Sequence, residues 1–329
     1  MILAGDIGGT KTNLAVFDPT CSKPFAPRAL ASYHSAQYDS LEAILAAFIA
    51  EHRPGRIESA CFGIAGPVRG DLVKTANIRW TVERGNLVRA LGIKRVSLIN
   101  DLEATAYGIE ALGDEQLFTL NRGSGVRTGN RALIAAGTGL GMAGIFWDGA
   151  RLRPIPSEGG HAGFAPRNEI ETKLSAYLQR KLGGRVSRER VLSGPGLVNV
   201  YQFLRDEMHA EESARLVQEI AEADDAAARI GAAALAGESE VAARALGLFV
   251  EIYGAAAGDL ALEFEASGGL YIGGGIAPKI LDRLKDGSFM RAFADKGRMS
   301  SLTSSFPVCV ILDDKTALYG AALRAQTHD

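Results

Sequence analysis

Cysteine is scarce in this 329-residue chain: Cys21, Cys61 and Cys309 lie far apart and form no C-x-x-C pair. An odd, scattered set argues against a disulfide framework or a cysteine zinc site and fits a reducing compartment. An excess of either charge is also missing, since 36 Lys and Arg against 38 Asp and Glu leave a formal net charge of −2. That balance offers nothing to attract nucleic acid or an anionic membrane, and neither is expected as a partner. The start, MILAGDIGGT, has no basic stretch ahead of a long apolar core, so no signal peptide is expected. The longest apolar run, residues 132–147, is short for a membrane span and is interrupted by four glycines. These absences together point to a cytoplasmic protein. A length prior of about 150 residues per domain suggests two domains.

The best-known nucleotide motifs are missing as well. There is no G-x-x-x-x-G-K-[ST], and no helical pattern follows Gly9 as a dinucleotide-binding fold requires. What the chain does have is glycine placed between apolar runs. ILAGDIGGTKTNLAVFD reads as strand, glycine turn and strand, and RALIAAGTGLGMAGIFWDG at residues 131–149 repeats that plan. Between the copies lie a helical stretch (SLEAILAAFIAEH), a strand (SACFGIAGPV), a polar excursion containing Trp80 and a second strand (RVSLIND). Strands alternating with helices suit an α/β fold with a mixed or parallel sheet. Residues 121–130, rich in glycine and polar side chains, are a candidate linker. Residues 168–260 read as mostly helical, the alanine-rich run 220–236 included, because apolar residues recur there at helical spacing. PVCVILDD and TALYGAALRAQ close the chain as strand and helix.

Each glycine turn has a functional and a plain interpretation. Consecutive amides at a glycine tip can cradle phosphates, and Asp6 just before the first tip could hold a hydrated magnesium ion. Gly-Gly is equally at home in an ordinary hairpin. Two copies with Gly-Thr, at Gly8-Gly9-Thr10 and Gly137-Thr138-Gly139, favour a phosphate clamp. A third cluster, Gly273-Gly274-Gly275, follows an apolar strand and precedes an expected amphipathic helix, where a flat ring or a phosphate could approach. Close strand-to-helix packing explains it as well.

The polar candidates are Asn100-Asp101, Glu158 and His161. LINDLEATAYG ends a strand on an amide and a carboxylate, which could be a helix cap or a ligand site beyond the carboxyl end of the strand. IPSEGGHAGFAP sets Glu158 and His161 in a glycine- and proline-rich loop, where they could accept and donate hydrogen bonds to sugar hydroxyls. Metal ligation there is disfavoured by the lack of a cysteine or second histidine at ligand spacing. By spacing alone, Asn77 reads as a turn residue and Glu189 as a solvated helix charge.

GDIGGTKTNLA, LIND, AAGTGLG, EGGH, ERVLSGPGLVNVY and IGGGIAPK occur here in the order seen in one family. From residue 5 to about 320 the chain resembles the bacterial glucokinases of the actin-like sugar kinase superfamily. The resemblance implies an α/β, two-domain actin-like (ribonuclease H-like) fold with a cleft between domains. Residues 1–110 would form the small domain, completed by the C-terminal helix at about 315–329, and residues 111–314 the large one. It implies ATP-dependent phosphorylation of the glucose 6-hydroxyl, with Asp101 as general base. Asn77, Asn100, Glu158, His161 and Glu189 would hold the sugar with it. Gly5, Asp6, Ile7, Gly8, Gly9 and Thr10 would form one phosphate loop and Gly137 to Gly139 the other. Gly273 to Gly275 would border the adenosine, Mg2+ would sit by Asp6, and a homodimer is implied.

Leu102 stands where many relatives carry an aromatic residue. Lys11 and Thr12 look closer to the related repressor, open-reading-frame and kinase family, yet HAGFAPRNE lacks that family's cysteines, so no zinc is expected. A kinase of the same fold for another hexose or an amino sugar is the alternative. A non-enzymatic sugar sensor or nucleotide switch is disfavoured by the polar set and by a first loop beginning at residue 5.

Overall fold

The computed structural model describes residues 1–20, 26–74, 80–124, 126 and 128–327. They fall into two compact units. Unit 1 takes Met1–Leu117, Leu152–Pro156 and the chain from Asp313 onward, and unit 2 takes Phe118–Arg151 and Ser157–Leu312.

Unit 1 begins with the expected hairpin. Strands β1 (Ile2–Ile7) and β2 (Lys11–Phe17) pair antiparallel from Ile2↔Phe17 to Ile7↔Thr12, and the Gly8 N–H closes the turn on the Lys11 carbonyl at 2.9 Å. β3 (Ala29–His34) adds to β2 on one side. On the other, β1 pairs parallel with β4 (Ser59–Ile64), which pairs parallel with the strand Val96–Asn100. Val68–Arg69, Leu72–Val73 and Val82–Glu83 form a separate small sheet, β5-β6-β7, which makes Val96–Asn100 β8. Helix α1 (Leu41–His52) starts where the Ser40 side chain accepts the Ala43 N–H at 3.2 Å. It buries Leu41, Ile44, Leu45 and Phe48, the i, i+3, i+4, i+7 stripe of an amphipathic helix. Phe17, Phe48 and Phe62 are among the largest fully buried side chains of the unit.

After α2 (Arg84–Leu91), α3 (Asp101–Gly108) packs against β4 and the C-terminal helix Thr316–Gln326. The fit depends on missing side chains. A Cβ on Gly63 would lie 2.8 Å from the Ala104 Cβ, and one on Gly108 would overlap the Thr316 carbonyl. One on Gly320 would overlap the Ala104 carbonyl oxygen.

Unit 2 repeats the plan. After β9 (Leu117–Asn121), β10 (Arg131–Ala136) and β11 (Leu140–Trp147) form the second hairpin, running from Arg131↔Ile145 to Ala136↔Leu140. β12 (Leu152–Ser157) follows, its residues 152–156 grouped with unit 1. β10 then pairs parallel with β13 (Gly269–Gly273), and β13 with β14 (Val308–Ile311). The order β11-β10-β13-β14 mirrors β2-β1-β4-β8 of unit 1, so the repeat seen in the sequence extends beyond the hairpins to whole half-sheets.

Two details add to the sequence reading. Among the described residues one helix, Glu240–Glu263, is long and apolar enough to cross a membrane, and it is mostly buried, as a core helix is. Its Gly254 and Gly258 let the helix Ser288–Ala294 approach at the Phe289 and Phe293 carbonyls. The expected amphipathic helix after Gly273–Gly275 is a 3-10 turn at Ala277–Ile280 followed by one α turn, Leu281–Leu284. Pro278 lies in its first turn, where a missing N–H forfeits no helical hydrogen bond.

Gly320→Val should cost roughly 2–3 kcal/mol, because overpacked backbone cannot yield as a side chain can. Urea unfolding measures this, and a midpoint equal to wild type would refute the close-contact account.

Candidate active site

In unit 1, the candidates gather at the carboxyl ends of parallel strands. Ile7, Ile64 and Asn100 stand in one row across β1, β4 and β8. Neighbouring strands are about 4.8 Å apart, so β1 and β8 are separated by about 10 Å. Asn100 is the N-cap of α3: its Oδ1 accepts the Leu102 N–H at 2.9 Å, and its Nδ2 donates to the Gly66 carbonyl at 3.0 Å. Asp101 is the first residue of α3, where the partial positive charge of a helix start favours a carboxylate. The LIND segment is therefore a helix cap by structure, and it presents a carboxylate at the strand end as well.

Asp6 lies on β1 before the glycine turn. Burial pushes its carboxyl up to about 6, against the hydrogen bond from Asn13 Nδ2 at 3.4 Å, and the charges of Asp101 and Asp314 add to the rise. Asp314 was missed in the sequence. It sits in ILDDKT just before the C-terminal helix, and the only signal was that strand-to-helix pattern, the same as in LIND. Ser35 was missed too. Its Oγ donates to the Gly8 carbonyl at 2.8 Å and bonds Thr12 Oγ1 at 3.0 Å, while its N–H donates to the Thr10 carbonyl at 3.0 Å. It braces the first turn. Gly5 and Ile7 are strand residues; Gly5 leaves room for Phe62, and Ile7 is fully buried.

In unit 2, the structure brings together Glu158, His161 and Glu189. EGGH folds as one 3-10 turn, with the His161 N–H donating to the Glu158 carbonyl at 2.9 Å. Gly160 is required because a Cβ would overlap the Leu140 carbonyl oxygen. The Arg188 N–H donates to the Ala162 carbonyl at 2.8 Å and the Phe164 N–H to the Val186 carbonyl at 3.0 Å, which draws the Glu189 turn beside the EGGH turn. The imidazole lies between two carboxylates: Nε2 is 3.9 Å from Glu158 and Nδ1 is 3.9 Å from Glu189. Glu189 is no solvated charge, since its Oε2 accepts the Leu140 N–H at 3.0 Å.

The second glycine turn is held by the same neighbourhood. The Gly137 N–H donates to the Gly139 carbonyl at 2.9 Å, and the Gly194 N–H to the Gly137 carbonyl at 2.8 Å. SGPG thus makes structural sense: the Ser193 Oγ caps the helix Gly194–Asp206 at Gly196 N (3.0 Å) and donates to the Glu189 carbonyl (2.8 Å). Gly274, at φ 82°, folds back on the end of β10, where a Cβ would overlap the Ala136 carbonyl oxygen. Gly273 ends β13 beside Ala135, and Gly275 has open space where a side chain would be. Asn77 lies outside the described residues.

With this geometry in view, a family model described as Glucokinase matches residues 3–328. The chain belongs to the glucokinase family. A glucokinase of Nostoc sp. (strain PCC 7120) is 43% identical, the match covering 99% of this chain and 98% of that protein. Among solved structures, the glucokinase from an Antarctic psychrotroph is 31% identical with a TM-score of 0.87, covering 98% of both chains. A ROK family glucokinase from Streptomyces griseus, in complex with glucose and AMPPNP, shares the fold at a TM-score of 0.66 and 24% identity, covering 99% of both chains. The glucokinase fold, two actin-like α/β halves, accounts for the repeated half-sheets described above.

Because folding favours the neutral form of Asp6, the folded chain keeps that proton to about pH 6, whereas the unfolded chain loses it near 4. This contribution to stability is complete below about pH 4 and is lost as pH rises through 6. Asp6→Asn should therefore raise stability at pH 7 by roughly 1–2 kcal/mol without added divalent cation, with the gain vanishing at pH 4. Thermal melts at both pH values test this; an equal gain at both would remove the charge explanation.

Proposed function

We propose that this glucokinase-family chain transfers the γ-phosphoryl group of ATP to the 6-hydroxyl of glucose, with Asp101 as general base. The observation that carries the reading is the carboxylate of Asp101, held at the first turn of α3 by the Asn100 cap and at the same sheet end as the Asp6 turn. Phosphoryl transfer needs positioning and charge stabilisation more than covalent chemistry. A carboxylate within reach of the hydroxyl takes its proton as the oxygen attacks, a contribution typically worth about 10²–10⁴-fold.

Glu158, His161 and Glu189 fit a sugar-holding role. Carboxylates accept from hydroxyls, and the imidazole can donate or accept, so adjacent hydroxyls of opposite demand are met by one rigid group. Glu189 also ties this set to the second glycine turn through Leu140 N, so sugar contacts and phosphate contacts share one support. The Streptomyces griseus relative is described with glucose and AMPPNP, which supports ATP as donor and glucose as acceptor here.

Asp6 suits magnesium in the way a single carboxylate does, through water and alongside substrate phosphates, not in an all-protein cage. Burial and the charges of Asp101 and Asp314 disfavour the Asp6 carboxylate, and a divalent cation would offset both. Bound there, the ion would neutralise phosphate charge. The family resemblance further implies a homodimer, which light scattering tests.

Asp101→Asn should lower kcat by about 10²–10⁴-fold while leaving KM for glucose and the affinity for AMPPNP within a few-fold. Lost nucleotide binding in that variant would contradict the assignment. Glu158→Ala should instead raise KM for glucose by about 10-fold or more, since it leaves the sugar's hydroxyl unpaired. A panel of glucose, mannose, fructose, galactose, glucosamine and N-acetylmannosamine with Mg-ATP decides the acceptor; preference for a sugar other than glucose would overturn the glucose assignment and keep the mechanism.

A further inference from the structure

A cavity lies in unit 1, at the opposite end of β8 from Asn100. It has a volume of about 460 Å³, within the range of small-molecule sites. Four cations line it, Arg84, Lys94, Arg95 and Arg324, together with the hydroxyls of Ser97 and Thr327, and no carboxylate lines it among the described residues. Arg95 directly precedes β8 and Asn100 ends it, so the cavity is roughly 16 Å from the candidate active site along the strand.

The charges in this cavity are only partly compensated. Arg84 is held by Asp71 through two hydrogen bonds, 2.7 and 3.3 Å long. Among the described residues, Arg95 Nη2 reaches the Ala325 carbonyl at 3.4 Å, and Arg324 donates to Thr327 Oγ1 at 2.8 Å while its charge acts on Glu103. Among the described residues, Lys94 has no ion-pair partner. Buried Ala60 and Val96 form part of the lining, which lowers the local dielectric and strengthens the repulsion between like charges. A chain with a net charge of −2 has no general reason to gather four cations around one concavity.

We propose that this cavity is a second ligand site, taking the phosphoryl dianion of free phosphate or of a small phosphate ester. Guanidinium forks match phosphate oxygens in pairs, and an ammonium adds a point charge, so the donor set fits a tetrahedral dianion better than a single carboxylate. Ser97 can supply a neutral donor for a remaining oxygen, while the Thr327 hydroxyl is already donated to the Arg324 carbonyl at 2.8 Å.

The test titrates inorganic phosphate, and separately glucose 6-phosphate, into the full-length protein with glucose and AMPPNP already saturating. Wild type is compared calorimetrically with Lys94→Gln/Arg95→Gln; both side chains are exposed, and a thermal melt checks folding. At least one of the two anions should bind wild type under these conditions and bind the double variant at least 10-fold more weakly. Glucose phosphorylation by the variant in phosphate-free buffer should be unchanged. Binding of glucose 6-phosphate alone identifies an ester as ligand, and binding of inorganic phosphate alone identifies the free anion. No binding of either to wild type, or equal affinity in both proteins, would overturn the proposal. Failure of glucose and AMPPNP to bind would count against the proposed activity and not against this site, since the comparison between wild type and variant still stands.

Discussion

In unit 1, α3 and the C-terminal helix meet backbone to backbone, with no side chain between Gly320 and the Ala104 carbonyl. Much of the site follows from that contact. Gly63 admits Ala104 to the face of β4, so α3 lies flat on the sheet with its first turn at the strand ends. The Asn100 cap then fixes the direction in which Asp101 leaves β8. The same helix pair returns the end of the chain to the first unit and brings Asp314 into the field of Asp6. Small residues thus do more here than permit turns. They set the depth at which α3 docks.

Unit 2 reaches a comparable result with polar atoms. Its glycine turn is fastened to the start of the helix Gly194–Asp206 through Gly194, and Glu189 is fastened to the turn through Leu140 N. A carboxylate on a backbone amide is a charge-assisted bond, stronger than a neutral one. Glu189 therefore has one oxygen engaged in structure and the other facing His161. An acid that only reached into solvent would lose side-chain entropy on meeting a ligand, and this one has lost it already.

Local features were legible in the sequence. Both hairpins were, because glycine tips between alternating apolar runs are short-range signals, and so were α1 and the C-terminal helix. LIND was legible as a cap, while EGGH was legible as a loop and not as the 3-10 turn it forms. The non-local links were not. Ser35 bracing Gly8, Asp314 facing Asp6, Glu189 on Leu140 N and the grouping of residues 152–156 with unit 1 join segments remote in the chain, and spacing carries no trace of them. The family resemblance named Glu189, where its position alone suggested a solvated charge. The helix expected after Gly275 is present over Ala277–Leu284 but opens in 3-10 form, a detail that apolar spacing does not carry.

The duplicated half-sheets explain why chemistry collects where it does. In each unit a hairpin strand pairs parallel with a later strand, so the turn of the hairpin and the carboxyl end of that strand share one edge. Backbone amides and strand-end side chains then become neighbours without any long loop to order. Unit 1 uses the edge for carboxylates, and unit 2 uses it for a carboxylate–imidazole set. Burial of Asp6, to which the charges of Asp101 and Asp314 add, disfavours its ionised form and costs stability near neutral pH. Placements of that kind are kept where function outweighs the stability of the chain alone.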